Sequence, residues 1–336
     1  MAELVSILIP AYNAEQWIRE TMLSAINQTW PNKEIIVVDD GSSDNTYKVA
    51  KTLASRVVKV VTQPNTGACG ARNNAFKLAQ GDYIQWLDAD DLLDPDKISL
   101  QLRLNNQGRD SRALLTSAWG MFFSRSRKAR FIPNSLWMDL SPADWIITKF
   151  MDNVWMNPAV WLVSRRLTEL AGPWDGRLNL SGVDDGEYIC RVVAASEKVK
   201  FCPDARCYYR IGNVGSLNWD IGKSNERLES LLLSVSLSIQ HLRSLEDSER
   251  TRKACLKLLE SWLPIFYPEN QELVIKVNQL ATELGGSLST PSMSWKYYPV
   301  EKLFGLERTK AVRANWGKGK LLMKSKWDRF LYRLIE

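Results

Sequence analysis

Histidine is nearly missing from this 336-residue chain: His241 stands alone. It falls in an amphipathic helical pattern, where a surface or core side chain is expected; no Cys/His cluster with zinc spacing is present and no Ser/His/Asp triad is evident. The five cysteines (69, 190, 202, 207, 255) form no CxxC pair and leave one over, so they read as reduced thiols, not a disulfide framework. No apolar run reaches the roughly 18 residues that a membrane-spanning helix needs. The chain opens on Leu4-Val5-Ser6-Ile7-Leu8-Ile9 with neither a basic flank nor a small-residue cleavage site. No signal peptide is expected, and the placement read from this is cytoplasmic. Biased tracts, internal repeats and long linkers are also lacking, and 45% apolar with 24% charged residues is an ordinary globular composition.

Net charge is close to zero except at one end. From Lys302 to Glu336 ten Lys/Arg face three Asp/Glu, a net +7 against +6 for the whole chain, so the other 301 residues total −1. A basic end bearing Trp316 and Trp327 suits either a solvated helix end or peripheral contact with anionic lipid on the inner face of a membrane. No aromatic–basic repeat or recognition motif accompanies it, so no nucleic-acid partner is expected.

What is present is regular alternation. Apolar strand-like runs at Val5–Ile9, Glu34–Val38, Val57–Thr62, Tyr83–Leu87 and Leu114–Phe123 are spaced by helical patterns at Ala14–Gln28, Thr46–Ala54, Ala71–Ala79 and Pro95–Leu104. Such alternation predicts a mostly parallel sheet flanked by helices, with ligands beyond the carboxyl ends of the strands. Residues 130–218 are less regular and rich in tryptophan, for most of which core packing is expected. From about Ile221 the pattern is helical, with Thr251–Pro264 and Gln271–Leu284 as further helices.

Polar clusters stand at the strand ends. Asp88-Ala89-Asp90-Asp91 follows an apolar strand directly, and carboxylates crowded there repel unless compensated. Mg2+ or Mn2+ is a natural partner; a solvated helix-capping turn is the alternative. Asp39-Asp40-Gly41-Ser42 is a turn and N-cap signal. Asn65–Arg72, reading NTGACGAR, lets backbone approach a phosphate near Arg72, yet it matches neither GxGxxG nor GxxxxGK[ST]. Asp184 and Asp185 precede a helix over Tyr188–Ala195, where acids complement the helix dipole or supply a general base.

Together these segments resemble the family 2 inverting glycosyltransferases of GT-A fold. The similarity runs from VSILIPAYNAEQWIRETMLSAINQTWPNKEIIVVDDGSSDNT through NTGACGARNNAFKLAQGDYIQWLDADDLLDPDKI to GVDDGEYICR, over roughly residues 3–217. It implies transfer of a sugar from a nucleoside-diphosphate donor, UDP-sugar first, to a hydroxyl of a carbohydrate or lipid-linked acceptor in cell-surface glycan or glycolipid synthesis. A non-catalytic sugar-nucleotide-binding protein on the same fold is the alternative. By the same resemblance Pro10, Ala11, Tyr12 and Asn13 form the nucleotide pocket, with Tyr12 stacking on the base. Asp39, Asp40, Gly67, Arg72, Asp88 and Ala89 complete the donor site. Asp90 ligates Mn2+ or Mg2+, Asp185 is the catalytic base, and Asp91, Asp184 and Arg191 support them. One departure stands out: where the family often has a histidine after a Tyr-Arg pair, this chain has Gly212 and Asn213, which makes Asn213 a second candidate ligand. The implied domains are a catalytic 1–220, divided at 125/126 into donor and acceptor parts, and a helical 221–336 with its basic end.

Overall fold

The computed structural model describes residues 2–105, 112–212, 224–267, 270–291, 319 and 321–332. Asn213 and residues 302–318 lie outside the described residues. Four strands form one half of the sheet: β1 (Val5–Ala11), β2 (Lys33–Asp39), β3 (Val58–Thr62) and β4 (Tyr83–Trp86). They pair in parallel in the order β3-β2-β1-β4. Their apolar runs are buried without alternation (Val5, Ile7, Leu8, Ile9; Ile35–Val38), as a parallel sheet covered on both faces requires. The register sets Ala11 beside Asp39 and Asp39 beside Thr62, so the carboxyl ends of β1, β2 and β3 finish together.

The rest of the sheet is mixed. β5 (Leu92–Leu93), β6 (Ala113–Phe122), β7 (Arg130–Phe131), β8 (Leu162–Ser164) and β9 (Lys198–Arg210) extend the order to β4-β8-β6-β9-β5, with β7 on β6. β8 is antiparallel to β4 and β5 to β9, while β6 and β9 are parallel across a register shift at Ser117/Ala118. The short β5 carries the chain from the Asp88–Asp91 turn onto β9, which brings Tyr209 and Arg210 back to that turn.

Among the described residues the helices are α1 (Ile18–Ile26), α2 (Thr46–Lys51), α3 (Gly67–Leu78), α4 (Lys97–Leu104), α5 (Pro142–Met151), α6 (Arg165–Ala171), α7 (Asp184–Ala195), α8 (Asn225–Leu245), α9 (Glu249–Phe266) and α10 (Gln271–Glu283), with a further helical stretch over 321–332. Two begin earlier than their apolar periodicity suggests. α3 starts at Gly67, four residues before Ala71, because Asp40 accepts from the otherwise unpaired amides of Thr66 and Gly67. α7 takes Asp184 and Asp185 into its first turn, where their charges suit the dipole. α9 runs past Pro264 to Phe266, its first turn closed by a capping box of Ser248 and Thr251. Trp145, Trp161 and Trp174 are buried, as core packing predicts, whereas Trp155 is 43% exposed.

Candidate active site

Beyond the carboxyl ends of β1 and β4 lies a cavity of about 910 Å³, closed on its far side by α5, α7, α8 and α9. Pro10, Ala11, Tyr12, Asn13, Asp40, Gly67, Arg72, Asp88, Ala89, Asp90, Asp184 and Asp185 all line it. Of the expected site residues Asp39, Asp91 and Arg191 stand behind the wall.

The loop after β1 is held open by its own sequence. Asn13 sits at φ 47, a left-handed conformation that asparagine tolerates. Its Oδ1 accepts from the Ser43 amide at 2.9 Å while its own amide donates to Ser42 Oγ at 2.9 Å. This clip presents Tyr12 to the cavity, 54% exposed. Asp40 accepts from Gln63 Nε2 (2.7 Å), Thr66 N (2.9 Å) and Gly67 N (2.9 Å), and so ties the β2 exit to the start of α3. Asp39, buried, accepts from Thr62 Oγ1 at 2.9 Å; its Oδ1 lacks a hydrogen-bond partner.

Arg72 is the electrostatic centre. Its Nη2 donates to Asp88 Oδ1 at 2.9 Å and its Nη1 to Asp184 Oδ2 at 2.5 Å, and its guanidinium lies 4.3 Å over the Trp174 ring. Burial alone would depress such a cation, yet the adjoining carboxylates of Asp88 and Asp184 hold it above its ordinary value. Trp174 is itself stacked on Tyr188 at 3.8 Å, which fixes the ring under the guanidinium. A desolvated cation–π contact of this kind contributes on the order of 2 kcal/mol.

The carboxylates after β4 differ by environment. Asp90 faces the cavity. Asp91 is fully buried, and its Oδ1 accepts from the Arg210 amide at 2.8 Å. Burial, then the charges of Asp90 and Asp88, push its carboxyl well above the usual carboxylate range. Arg210 donates from Nε to the Asp90 carbonyl (2.7 Å) and from Nη2 to Glu20 (2.7 Å), with Trp17 4.2 Å from its guanidinium. Asp88 and Asp90 are hard oxygen donors facing one space, which fits a divalent cation. The described residues gather no group of three ligand-type side chains, so oxygens of a diphosphate and water would have to complete a shell. Gly212, which with Asn213 stands after the Tyr209-Arg210 pair, lies at φ +81, and a Cβ there would come within 2.9 Å of Ser325 Cβ.

Across the cavity, half-buried Asp185 is pushed up to about 7, first by burial and then by the charge of Asp184. Lys149 of α5 lines the same wall. Arg191 grips Glu187 through Nε and Nη2 (2.9 and 3.0 Å) and the Ala171 and Pro173 carbonyls through Nη1. His241 of α8 meets Glu187 Oε1 at 2.9 Å. Arg191 thus braces α7 from behind, one turn and more from Asp185.

Several lining residues escaped sequence reading: Lys149, Asn153, Asn179 and Trp262. Asn179 is the most consequential. Its Oδ1 accepts from Cys69 N and its Nδ2 donates to Thr66 O, both at 2.9 Å, clamping the first turn of α3 over Gly67. Nothing in its local sequence marks it, because its partners are over a hundred residues away.

The glycosyl transferase family 2 pattern matches residues 6–130. An Escherichia coli protein, the UDP-Glc:alpha-D-GlcNAc-diphosphoundecaprenol beta-1,3-glucosyltransferase WfgD, is 43% identical over 102 residues, 30% of this chain and 40% of its own. A second from that organism, WfaP, with the same activity in its name, is 46% identical over 101 residues, 30% of this chain and 40% of its own. The match therefore spans about two fifths of those relatives. Among solved structures, S. aureus TarS 1-349 in complex with UDP-GlcNAc superposes with a TM-score of 0.65 at 17% identity, over 83% of this chain and 81% of that one. The mannosyltransferase PcManGT from Pyrobaculum calidifontis, in complex with GDP-Man and Mn2+, gives 0.54 at 17% identity, over 95% and 88%. No helix among the described residues is long and apolar enough to cross a membrane. The glycosyl transferase family 2 pattern thus covers the first four strands and the Asp88–Asp91 turn, and the chain as a whole carries the GT-A fold.

Proposed function

We propose that this chain transfers a sugar from a nucleoside-diphosphate donor, UDP-sugar first among them, to a hydroxyl of a carbohydrate or lipid-linked acceptor, inverting the anomeric centre. The observation that carries the reading is a single cavity walled by Tyr12, Asp40, Arg72, Asp88 and Asp90 on one side and by Asp185 on the other. The names of WfgD and WfaP, which specify a UDP-Glc donor and a diphosphoundecaprenol-linked acceptor, support that class.

In this reading Tyr12 stacks on the base, and Asp40 and the Asn13 loop shape its pocket. Asp88, oriented by Arg72, receives hydroxyls of the ribose or sugar. Asp90, with Asp88 near it, would hold Mn2+ or Mg2+, whose charge offsets that of the leaving diphosphate. Asp185 takes the proton of the acceptor hydroxyl as its oxygen bonds to the anomeric carbon. The bond to the diphosphate breaks on the opposite face, and the electron pair leaves with the nucleotide. One displacement inverts the centre. A carboxyl pushed up to about 7 is a stronger base than an ordinary one and is still ionised near neutrality. Residues 1–125 then serve the donor and 126–220 the acceptor, with α8 and α9 of the helical 221–336 completing the cavity wall.

The test is nucleotide-linked thermal stabilisation, with UDP, GDP and dTDP compared with and without Mn2+, followed by transfer assays on the donor so ranked. Saturation at a hundred times Kd is worth about 2.7 kcal/mol, easily seen as a Tm shift. No shift with any nucleotide would sink the donor site. A shift without transfer or donor hydrolysis would favour the non-catalytic alternative.

A further inference from the structure

The helical segment 321–332 turns its largest apolar side chains to solvent and short polar ones to the protein. Two of its polar residues, Ser325 and Asp328, face the protein. Asp328 accepts from the amides of Ser124 (2.9 Å) and Arg125 (3.2 Å) and from Arg125 Nε and Nη2 (2.8 and 2.6 Å). Ser325 is buried against Gly212. The opposite face, at i, i+4 and i+7, presents Met323, Trp327 and Phe330 to solvent, 69%, 64% and 53% exposed, with the two rings stacked at 5.8 Å. Exposed Lys324 and Lys326 flank that face on either side.

We infer that helix 321–332 is an interfacial anchor that lays Met323, Trp327 and Phe330 into an anionic lipid surface. An apolar face with aromatic rings, edged by lysines that reach headgroups, is the pattern of a helix lying in a membrane plane. The sequence around it agrees in charge, since residues 302–336 carry +7 while the rest of the chain carries −1. A second copy is the poorer occupant, because a symmetric pairing of this face would set lysines against lysines.

The anchor stands at the rim of the cavity. Arg329 lies 5.1 Å over Trp17, which lines the cavity and has Arg210 4.2 Å away on its ring; Arg210 in turn donates to the Asp90 carbonyl. A bilayer against this helix would bring the cavity mouth to the surface from which a lipid-linked acceptor is presented. The lipid contact itself does not depend on the donor or base assignments.

The test is co-sedimentation of the full chain with vesicles of phosphatidylcholine and phosphatidylglycerol in equal parts, and with phosphatidylcholine alone. Two double variants, Trp327→Ser with Phe330→Ser and Lys324→Glu with Lys326→Glu, change only solvent-facing side chains and should leave Tm unchanged. Wild type is expected to bind the mixed vesicles, and each double variant to bind them about tenfold more weakly or less. Equal binding by wild type and variants, equal binding to neutral vesicles, or no binding by wild type would each overturn the inference. So would a concentration-dependent dimer abolished by Trp327→Ser, which would give the face to a second copy. None of these readouts uses a sugar nucleotide, so a failed donor screen leaves them interpretable.

Discussion

Arg72 and Asp184, 112 positions apart in sequence, meet in a buried ion pair at 2.5 Å that binds α3 to the start of α7. The same guanidinium holds Asp88, so one cation sets the distance between the turn after β4 and the helix that carries Asp185.

Removing that cation should therefore cost more than a surface pair would. Arg72→Met leaves Asp184 buried without its counter-charge, the Cys69 thiol alone still donating to it, and a loss of roughly 3 kcal/mol of stability is expected. Arg72→Lys retains charge but loses the fork to two carboxylates and should fall between. Chemical denaturation of the three proteins at neutral pH checks the order; equal midpoints would refute it.

On the proposed mechanism Asp185→Asn should abolish sugar transfer and stabilise the fold at once. The folded carboxyl keeps its proton up to about 7, whereas an unfolded one releases it near its ordinary value of about 4. Between those values the folded state binds more protons, so this group's contribution to stability declines as pH rises through that window. The asparagine variant escapes the decline. It should match wild type near pH 4 and exceed it above neutrality, by up to a few kcal/mol on the order-of-magnitude reading of this shift. Wild-type kcat/KM should rise with pH and level off above about 7, where the base is ionised. Tm and kcat/KM measured across pH settle both.

Asn179→Ala should weaken donor binding without touching the base. It removes two hydrogen bonds that clamp Thr66 and Cys69 at the head of α3. A cost of about 1–2 kcal/mol is expected, similar to the loss of a helix cap. UDP-dependent thermal shifts should shrink, while the pH dependence of transfer stays that of wild type. An altered pH profile would count against a clamp role.

Asp328→Ala should loosen the C-terminal helix and little else. Hydrogen bonds from the Ser124 amide and Arg125 outweigh the cost of burial and hold this carboxyl below its usual range. Its contribution is thus present above the ordinary carboxylate value and fades as pH falls through the lowered one. Proteolysis within 319–332 should quicken in the variant at neutral pH, and the difference from wild type should narrow in acid.

The strands β1 to β4, the turn at Asp88–Asp91 and the loop at Asp40 were legible in the sequence because each depends on neighbours in the chain: apolar runs make buried parallel strands, and polar clusters stop them. Their co-location also followed, since parallel strands finish at one edge. Four clusters in the order of a family narrowed the chemistry further. Arg191 shows the limit: by motif it belongs with Asp185, yet its partners are Glu187 and the Ala171 and Pro173 carbonyls behind the wall. Lys97, whose Nζ is held at 2.6 Å by Gln85 and 2.7 Å by Gln101 inside the core, shows it again. Nothing local distinguishes that lysine from a solvated one.

Only the tertiary structure decided which charges meet. Arg72 with Asp184, Asn179 with Thr66, and Asp328 with Arg125 join segments about a hundred residues apart or more. The basic end could be counted from the sequence, but which face of helix 321–332 points outward depends on Asp328 and Ser325 finding the end of β6 and Gly212. Periodicity records the burial of a face; it does not record the partner that buries it.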